Sequence, residues 1–204
     1  VEETMVSPTL YVDNGLPAEE TVPGARRIQA LWAGRPLPGR MVAHEDIWNM
    51  HLLPDVVWAG FSYTLSDEVM RVLEGTVAEA LETLRVPPPD IALTGSDTVV
   101  VSVSGKTTDA RRSLAWTADH GHLWQTLGIN GVAYQTGKGL LLGIELLQHT
   151  RYGRLPGLFS ATTLPIGEED WPVIERAMSR LGIEWTDGSH LAVSITTSEG
   201  GQVL

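Results

Sequence analysis

Val56-Val57-Trp58-Ala59-Gly60-Phe61-Ser62-Tyr63-Thr64 is dense in β-branched and aromatic residues and reads as a strand. Ser66 is a natural N-cap, Asp67 and Glu68 suit the positive end of a helix dipole, and Val69, Val72, Leu73, Thr76, Val77, Ala80, Leu81 and Leu84 trace one face, so the spacing predicts a helix over residues 66–85. Arg85 suits its negative end, and Pro87-Pro88-Pro89 forbids continuation. Ile91-Ala92-Leu93 then turns through Thr94-Gly95-Ser96-Asp97 into Thr98–Val103. The order from residue 56 to residue 104 is strand, helix, strand, strand.

Outward from this stretch, the same order recurs over residues 158–197. Leu158–Leu164 reads as a strand, and Glu168-Glu169-Asp170 opens a helix that tolerates Pro172 in its first turn and is lined by Trp171, Ile174, Met178 and Leu181. Gly182 ends that helix, Ile183-Glu184-Trp185 forms a strand, Asp187-Gly188 signals a hairpin, and Leu191–Thr196 alternates as the return strand. The expected fold class is α+β: two βαββ (ferredoxin-like) units that share or pair a mainly antiparallel sheet. Each helix buries one face of a small β-layer and leaves an edge seeking a strand, from this chain or another.

Between the two units, over residues 106–157, Asp109 is placed to cap a helix carrying Ala110, Leu114 and Ala118 and ended by Gly121. A short helical turn to Leu127 follows, then a strand over Gly131–Gln135, a turn at Thr136–Gly139, and a strand or short helix over Leu140–Gln148. Residues 1–54 hold half of the 12 prolines (Pro8, Pro17, Pro23, Pro36, Pro38, Pro54), which interrupt long regular elements. They read as an N-terminal arm with a short strand at Thr9–Val12 ended by Asn14-Gly15, a helix at Gly24–Ala33 and another from His44 to Leu53. The organisation expected is an arm (1–54) and an α+β domain (55–204) built of the 56–104 unit, the 106–157 segment and the 158–197 unit.

A chain of 204 residues that is 43% hydrophobic and 19% charged has enough apolar side chains for a core without covalent staples. The absence of cysteine excludes disulfides, zinc-thiolate sites, iron–sulfur clusters and thiol nucleophiles. A net charge of -11 argues against a nonspecific nucleic-acid surface, which needs a basic stripe. The apolar run Leu140–Leu147 is too short to span a bilayer and contains Glu145, and no secretory segment opens the chain, so a cytoplasmic or virion setting is expected and no membrane partner.

Asp119-His120-Gly121-His122 brings two imidazoles and a carboxylate together, the pattern of a metal site or an acid–base pair; as plain structure it reads as a helix C-terminus, where His meets the dipole. His44-Glu45-Asp46 with His51 fails the H-E-x-x-H test because the histidines lie seven residues apart. Gly131 to Gly139 contains Gly137-Lys138 but lacks the spacing and the hydroxyl residue of a phosphate loop. The tandem order is similar to that of the two-histidine phosphoesterases, but His190 is followed by Leu191-Ala192, and Asp97-Thr98 stands where the partner histidine belongs. No metal site, cofactor site or catalytic set is therefore assigned; Asp119, His120 and His122 are the candidates.

Trp32 and Trp48 in the arm, with Arg26 and Arg27, are candidate interface anchors. The reading is a non-enzymatic assembly or protein-binding subunit, such as a phage or other multi-subunit structural component, with protein partners (self or other subunits). The alternatives are a small-molecule enzyme using His120, His122 and Asp119, and a ligand-sensing module.

Overall fold

A computed structural model describes residues 5–21, 27–32, 35–83, 92–105, 111–149, 151–154, 164, 166–187 and 192–195. The strands are β1 (Thr9–Asp13), β2 (Leu16–Glu20), β3 (Arg27–Trp32), β4 (Arg35–Met41), β5 (Ala59–Gly60), β6 (Ser62–Thr64), β7 (Ser96–Ser104), β8 (Arg111–Asp119), β9 (Thr186–Asp187) and β10 (Ala192–Ile195). The helices are α1 (Glu45–Asn49), α2 (Asp67–Val72), α3 (Val77–Thr83), α4 (His120–Leu127), α5 (Gly131–His149) and α6 (Trp171–Leu181). The protein is mixed α+β with three small antiparallel sheets, ordered β2-β1-β5, β10-β3-β4-β6 and β7-β8-β9. The chain divides into two compact units, one holding β1–β6, α1–α3 and β10, the other β7–β9 and α4–α6.

In the first unit, β1 and β2 form a hairpin with Asp13 opposite Leu16. Asn14 and Gly15 between them have φ of 50° and 76°, the left-handed pair that a two-residue hairpin turn requires. The described part of the expected arm holds paired strands and, where a helix was expected from His44 to Leu53, α1 followed by a 3-10 turn at Met50–Leu52, and it supplies the centre of the unit: Val12, Met41 and Val42 are fully buried at 0% exposure. Thr9 Oγ1 donates to the Met41 carbonyl at 3.3 Å, and Tyr11 and Met41 pack with Ala18 and Trp58. Gly60 closes on the same place, since a Cβ there would meet Met41 Cε and Trp58 Cη2 at 2.7 Å.

The helix expected over Gly24–Ala33 is instead β3, over the part of it that is described. Ile28, Leu31 and Trp32 have helical spacing, but the backbone of this segment is paired on both sides, with β4 and with β10, and non-local pairing overrides the local pattern. Pro36 and Pro38 sit in β4 two residues apart, so both lack a donor on the same edge; pairing with β6 begins only at Gly39. The helix expected over 66–85 starts as read, with Ser66 accepting from Val69 N at 3.3 Å, but it breaks into α2 and α3. Thr76 and Glu79 form a capping box for α3: Glu79 Oε2 accepts from Thr76 N at 2.9 Å and Thr76 Oγ1 from Glu79 N at 3.2 Å. The Thr76 backbone bond is the chief cause that lowers the Glu79 pKa.

The strands expected to form the first βαββ layer separate: β5 joins β1, β6 joins β4, and β7 joins β8. The strands β9 and β10, on either side of the expected hairpin, pair with β8 and with β3, and Gly188 lies outside the described residues. Ile91 and most of the expected strand Leu158–Leu164 lie outside the described residues.

The second unit departs most from expectation at its centre. Residues 111–119, read as helix, are the strand β8, matched to β7 from Ser96↔Asp119 to Ser104↔Arg111. Hydroxyl pairs cross this ladder, Ser102 with Ser113 at 2.7 Å and Thr98 with Thr117 at 2.9 Å. Residues 131–149, where a strand, a turn and then a strand or short helix were expected, are the single 19-residue helix α5. Helix α6 ends as read, at Gly182 with φ of 65°, yet Trp171 points outward at 53% exposure while Ile174 and Ala177 form the buried stripe. Among the described residues no helix is long and apolar enough to cross a membrane.

Met41→Ala removes a fully buried side chain at the point where Thr9, Tyr11, Trp58 and Gly60 converge. It should lower the unfolding free energy by about 2–5 kcal/mol, measured by urea titration monitored through tryptophan fluorescence.

Candidate functional site

The residues singled out as acid–base or metal candidates are brought to the start of a helix, each with a backbone task. Asp119 is the last residue of β8 and the N-cap of α4; its Oδ1 accepts from His122 N at 2.6 Å. The cluster therefore stands at a helix N-terminus, the reverse of the expected C-terminus. His120 Nδ1 accepts from Gly131 N at 2.8 Å, which satisfies a free amide at the start of α5. Its proton in the neutral form lies on Nε2, and Nδ1 is occupied as an acceptor. The His122 ring is exposed, and Gly121 fits because a Cβ there would come within 2.9 Å of the Leu93 carbonyl.

Asp97 was missed by sequence reasoning. It is half-buried near His120, and desolvation foremost raises its carboxyl pKa, with the Thr98 amide pulling the other way. The two groups form no ion pair among the described residues, and no group of three His, Asp or Glu side chains there is arranged to hold a metal ion.

A second polar cluster lies at the start of α6. Tyr152 is buried and its hydroxyl donates to Asp170 Oδ2, which also accepts from Gly167 N at 2.9 Å and faces Arg151 Nη2 at 3.6 Å. The Tyr152 hydrogen bond, then the Gly167 amide, hold the Asp170 carboxyl below its ordinary value. Burial foremost, with the bond to Asp170, pushes the Tyr152 phenol up. Asp170 was visible in the sequence only as one member of an acidic run. It fixes the turn on which α6 begins, and its acceptors are used by the chain itself.

Behind α6, an open groove of about 500 Å³ runs along the end of α5, lined by His149, Val173, Arg176, Ser179 and Arg180. Glu145 accepts from Arg180 and lies 3.4 Å from His149 Nε2, whereas Arg176 forms no ion pair among the described residues.

The largest feature of the second unit is apolar. Val101 is opposite Leu114 and Val99 opposite Trp116, so Val99, Val101, Val103, Leu114 and Trp116 share one face of the β7-β8-β9 sheet. Helix α5 covers the Trp116 end: Gln135 Nε2 donates to the Trp116 carbonyl at 2.7 Å, and the Trp116 ring lies 6.5 Å from Tyr134 and 6.2 Å from Trp185. The rest of the face is exposed, Val99, Val101, Val103 and Leu114 by 38, 49, 66 and 50%, and the exposed Arg112, opposite Val103, shares it. Among the described residues β7 is also an edge strand.

Other sheet edges are guarded. β2 carries Pro17, Glu19 and Glu20, while β5, β6, β9 and β10 are two to four residues long. β7 has nine residues and a single charge, Asp97, near one end.

The candidate interface residues of the N-terminal segment separate. Trp48 on α1 is exposed, Arg27 and Trp32 are the terminal residues of β3, and Arg26 lies outside the described residues.

Tyr152→Phe tests the polar cluster. A carboxylate held below its ordinary pKa stabilises the fold above the unfolded value, about 3.8, and that contribution is lost as pH falls through the folded value. The variant should be less stable than wild type at neutral pH, with the gap narrowing as pH falls through the acid range. Asp170 should titrate higher, followed by NMR of its side-chain carboxyl carbon. Comparison of the chain with family models and with curated proteins finds no match.

Proposed function

We propose that this protein is a non-enzymatic subunit that works by binding protein, other copies of itself or other subunits, within a multi-subunit structure such as a phage particle or a cytoplasmic assembly. The observation that carries this reading is the unguarded β7 edge with its bare valine face. A long, β-branched, nearly uncharged edge is a template for another strand, and natural proteins suppress such edges unless they are used. The occupied lone pairs of Asp119 and His120 weigh in the same direction, because the strongest acid–base candidates are already committed to starting α4 and α5. The N-terminal segment enters as part of the first unit's core, so its contribution to contacts falls to exposed residues such as Trp48.

A second reading has one observation in its favour. The groove that Arg176 lines, with Ser179 and His149, suits a small anionic ligand and would make the chain a ligand-sensing module. Thermal-shift measurements with inorganic phosphate and with di- and tricarboxylates check it: a rise in the unfolding midpoint that Arg176→Ala abolishes would favour sensing.

For the assembly reading, the test is native mass by light scattering over a range of concentrations. Wild type should exceed the single-chain 22.1 kDa, and Val101→Lys with Val103→Lys should lower the mass without unfolding the chain. A wild-type protein that stays at one chain's mass and binds no strand peptide of its own sequence sinks the reading.

A further inference from the structure

Helix α5 carries on its outer face a pattern that its own unit does not use. Ala133, Gly137, Leu140, Ile144 and Leu147 recur at intervals of four, three, four and three residues. That is the seam of a coiled coil, with Gly137 and Ile144 at a positions and Ala133, Leu140 and Leu147 at d. Leu140, Ile144 and Leu147 are exposed by 68, 41 and 54%, although each is an aliphatic residue of core type.

The opposite face holds the helix to its unit. Gln135 is buried and bonds to the Trp116 carbonyl, Lys138 Nζ donates to the Leu181 carbonyl at the end of α6, and Glu145 accepts from Arg180. The two charged side chains within the helix body, Lys138 and Glu145, are thereby turned away from the seam. The e and g positions beside it, Tyr134, Thr136, Leu141, Gly143 and Gln148, are uncharged.

We propose that α5 pairs in parallel with α5 of a second copy of this chain, a short two-stranded coiled coil. This rests on the reading of the chain as an assembling subunit and names its partner and surface. Three considerations select a second copy. Where the seam has full-size side chains, Ile144 at a between Leu140 and Leu147 at d is the arrangement that favours two parallel strands. Charges at e and g are what coiled coils use to choose a different partner, and here there are none. Finally, a chain of net charge -11 repels its copies over most of its surface, and an uncharged strip is where two of them can approach. The seam is short and the helix spans only about 28 Å, so the area falls below the roughly 1,200 Å² of a standard stable interface. The pair is accordingly reversible, and other contacts in an assembly strengthen it by raising local concentration.

Because the chain has no cysteine, single substitutions report the geometry cleanly. In a parallel pair each seam residue meets its own equivalent, so Leu147→Cys, near one end of the seam, should give a cross-linked dimer with a short bis-maleimide. An antiparallel pair would separate these residues by most of the helix. Gln125→Cys, on α4, is the exposed control and should stay monomeric on the gel. Leu140→Glu should abolish both the cross-link in the Leu147→Cys background and the concentration-dependent rise in mass. Gly137→Ile fills an a position where a Cβ meets nothing within 4 Å, and should lower the dissociation constant about tenfold. Gly139→Ile, equally free of contacts but off the seam, brings the same gain in helix propensity and should lower it by much less.

If Leu147→Cys fails to cross-link above the control, or Leu140→Glu leaves the mass unaltered in a folded protein, the seam is refuted. In that case a wild-type mass above one chain that falls with Val101→Lys would leave the assembly reading standing. A wild-type protein monomeric at about 0.1 mM, with no cross-link and no binding of a strand peptide of its own sequence, overturns both.

Discussion

Residue pairs from Ser96↔Asp119 to Ser104↔Arg111 lock β7 onto β8, and the remainder of the second unit takes its position from that ladder. Its end sets Asp119 where the carboxylate starts α4, and the next residue, His120, receives the first amide of α5. Two positions before Ala118, the Trp116 carbonyl takes the side-chain amide of Gln135 from α5, and its ring meets Tyr134 and Trp185. A slip of one residue would turn Trp116 to the other face and withdraw these contacts together. The crossed hydroxyl pairs, Ser102 with Ser113 and Thr98 with Thr117, favour this register over its neighbours.

Local chemistry was readable wherever a residue acts on its own backbone neighbourhood. Ser66 as a cap, Asn14-Gly15 as a turn, Pro172 in a first turn and Gly182 as a stop all rest on interactions within a few residues, and all stand as read. What could not be read was set by partners far along the chain. The segment around Ile28 has a helical pattern and becomes a strand because β4 and β10 lie on either side of it. Residues 131–149 look punctuated, since Gly137 and Gly139 suggest a turn and Lys138 a loop, yet they form one helix anchored by Gln135, Lys138 and Glu145.

The candidate surface was legible only in half. Val99, Val101 and Val103 alternate as a strand should, and the sequence identified them as one; whether the face they share is roofed depends on how far α5 reaches across the sheet. The histidine cluster shows the converse. Asp119-His120-Gly121-His122 has the residue types of a catalytic or metal site, and what decides its role is the direction of the adjoining helix, which the dipole argument taken alone assigned to the wrong end. Tyr152 and Asp170, eighteen residues apart, carry no joint signature in sequence at all.

Helix α5 also has a thermodynamic peculiarity. Glycine in a helix interior costs about 1 kcal/mol relative to alanine, and α5 has Gly137, Gly139 and Gly143 in its body. Its backbone order is therefore borrowed from the side-chain anchors on one flank and is little supported by its own propensity. Any molecule that settles on the other flank shares in that ordering, so occupancy and helicity rise and fall as one quantity. A partner that settled there would be released as warming frays the helix.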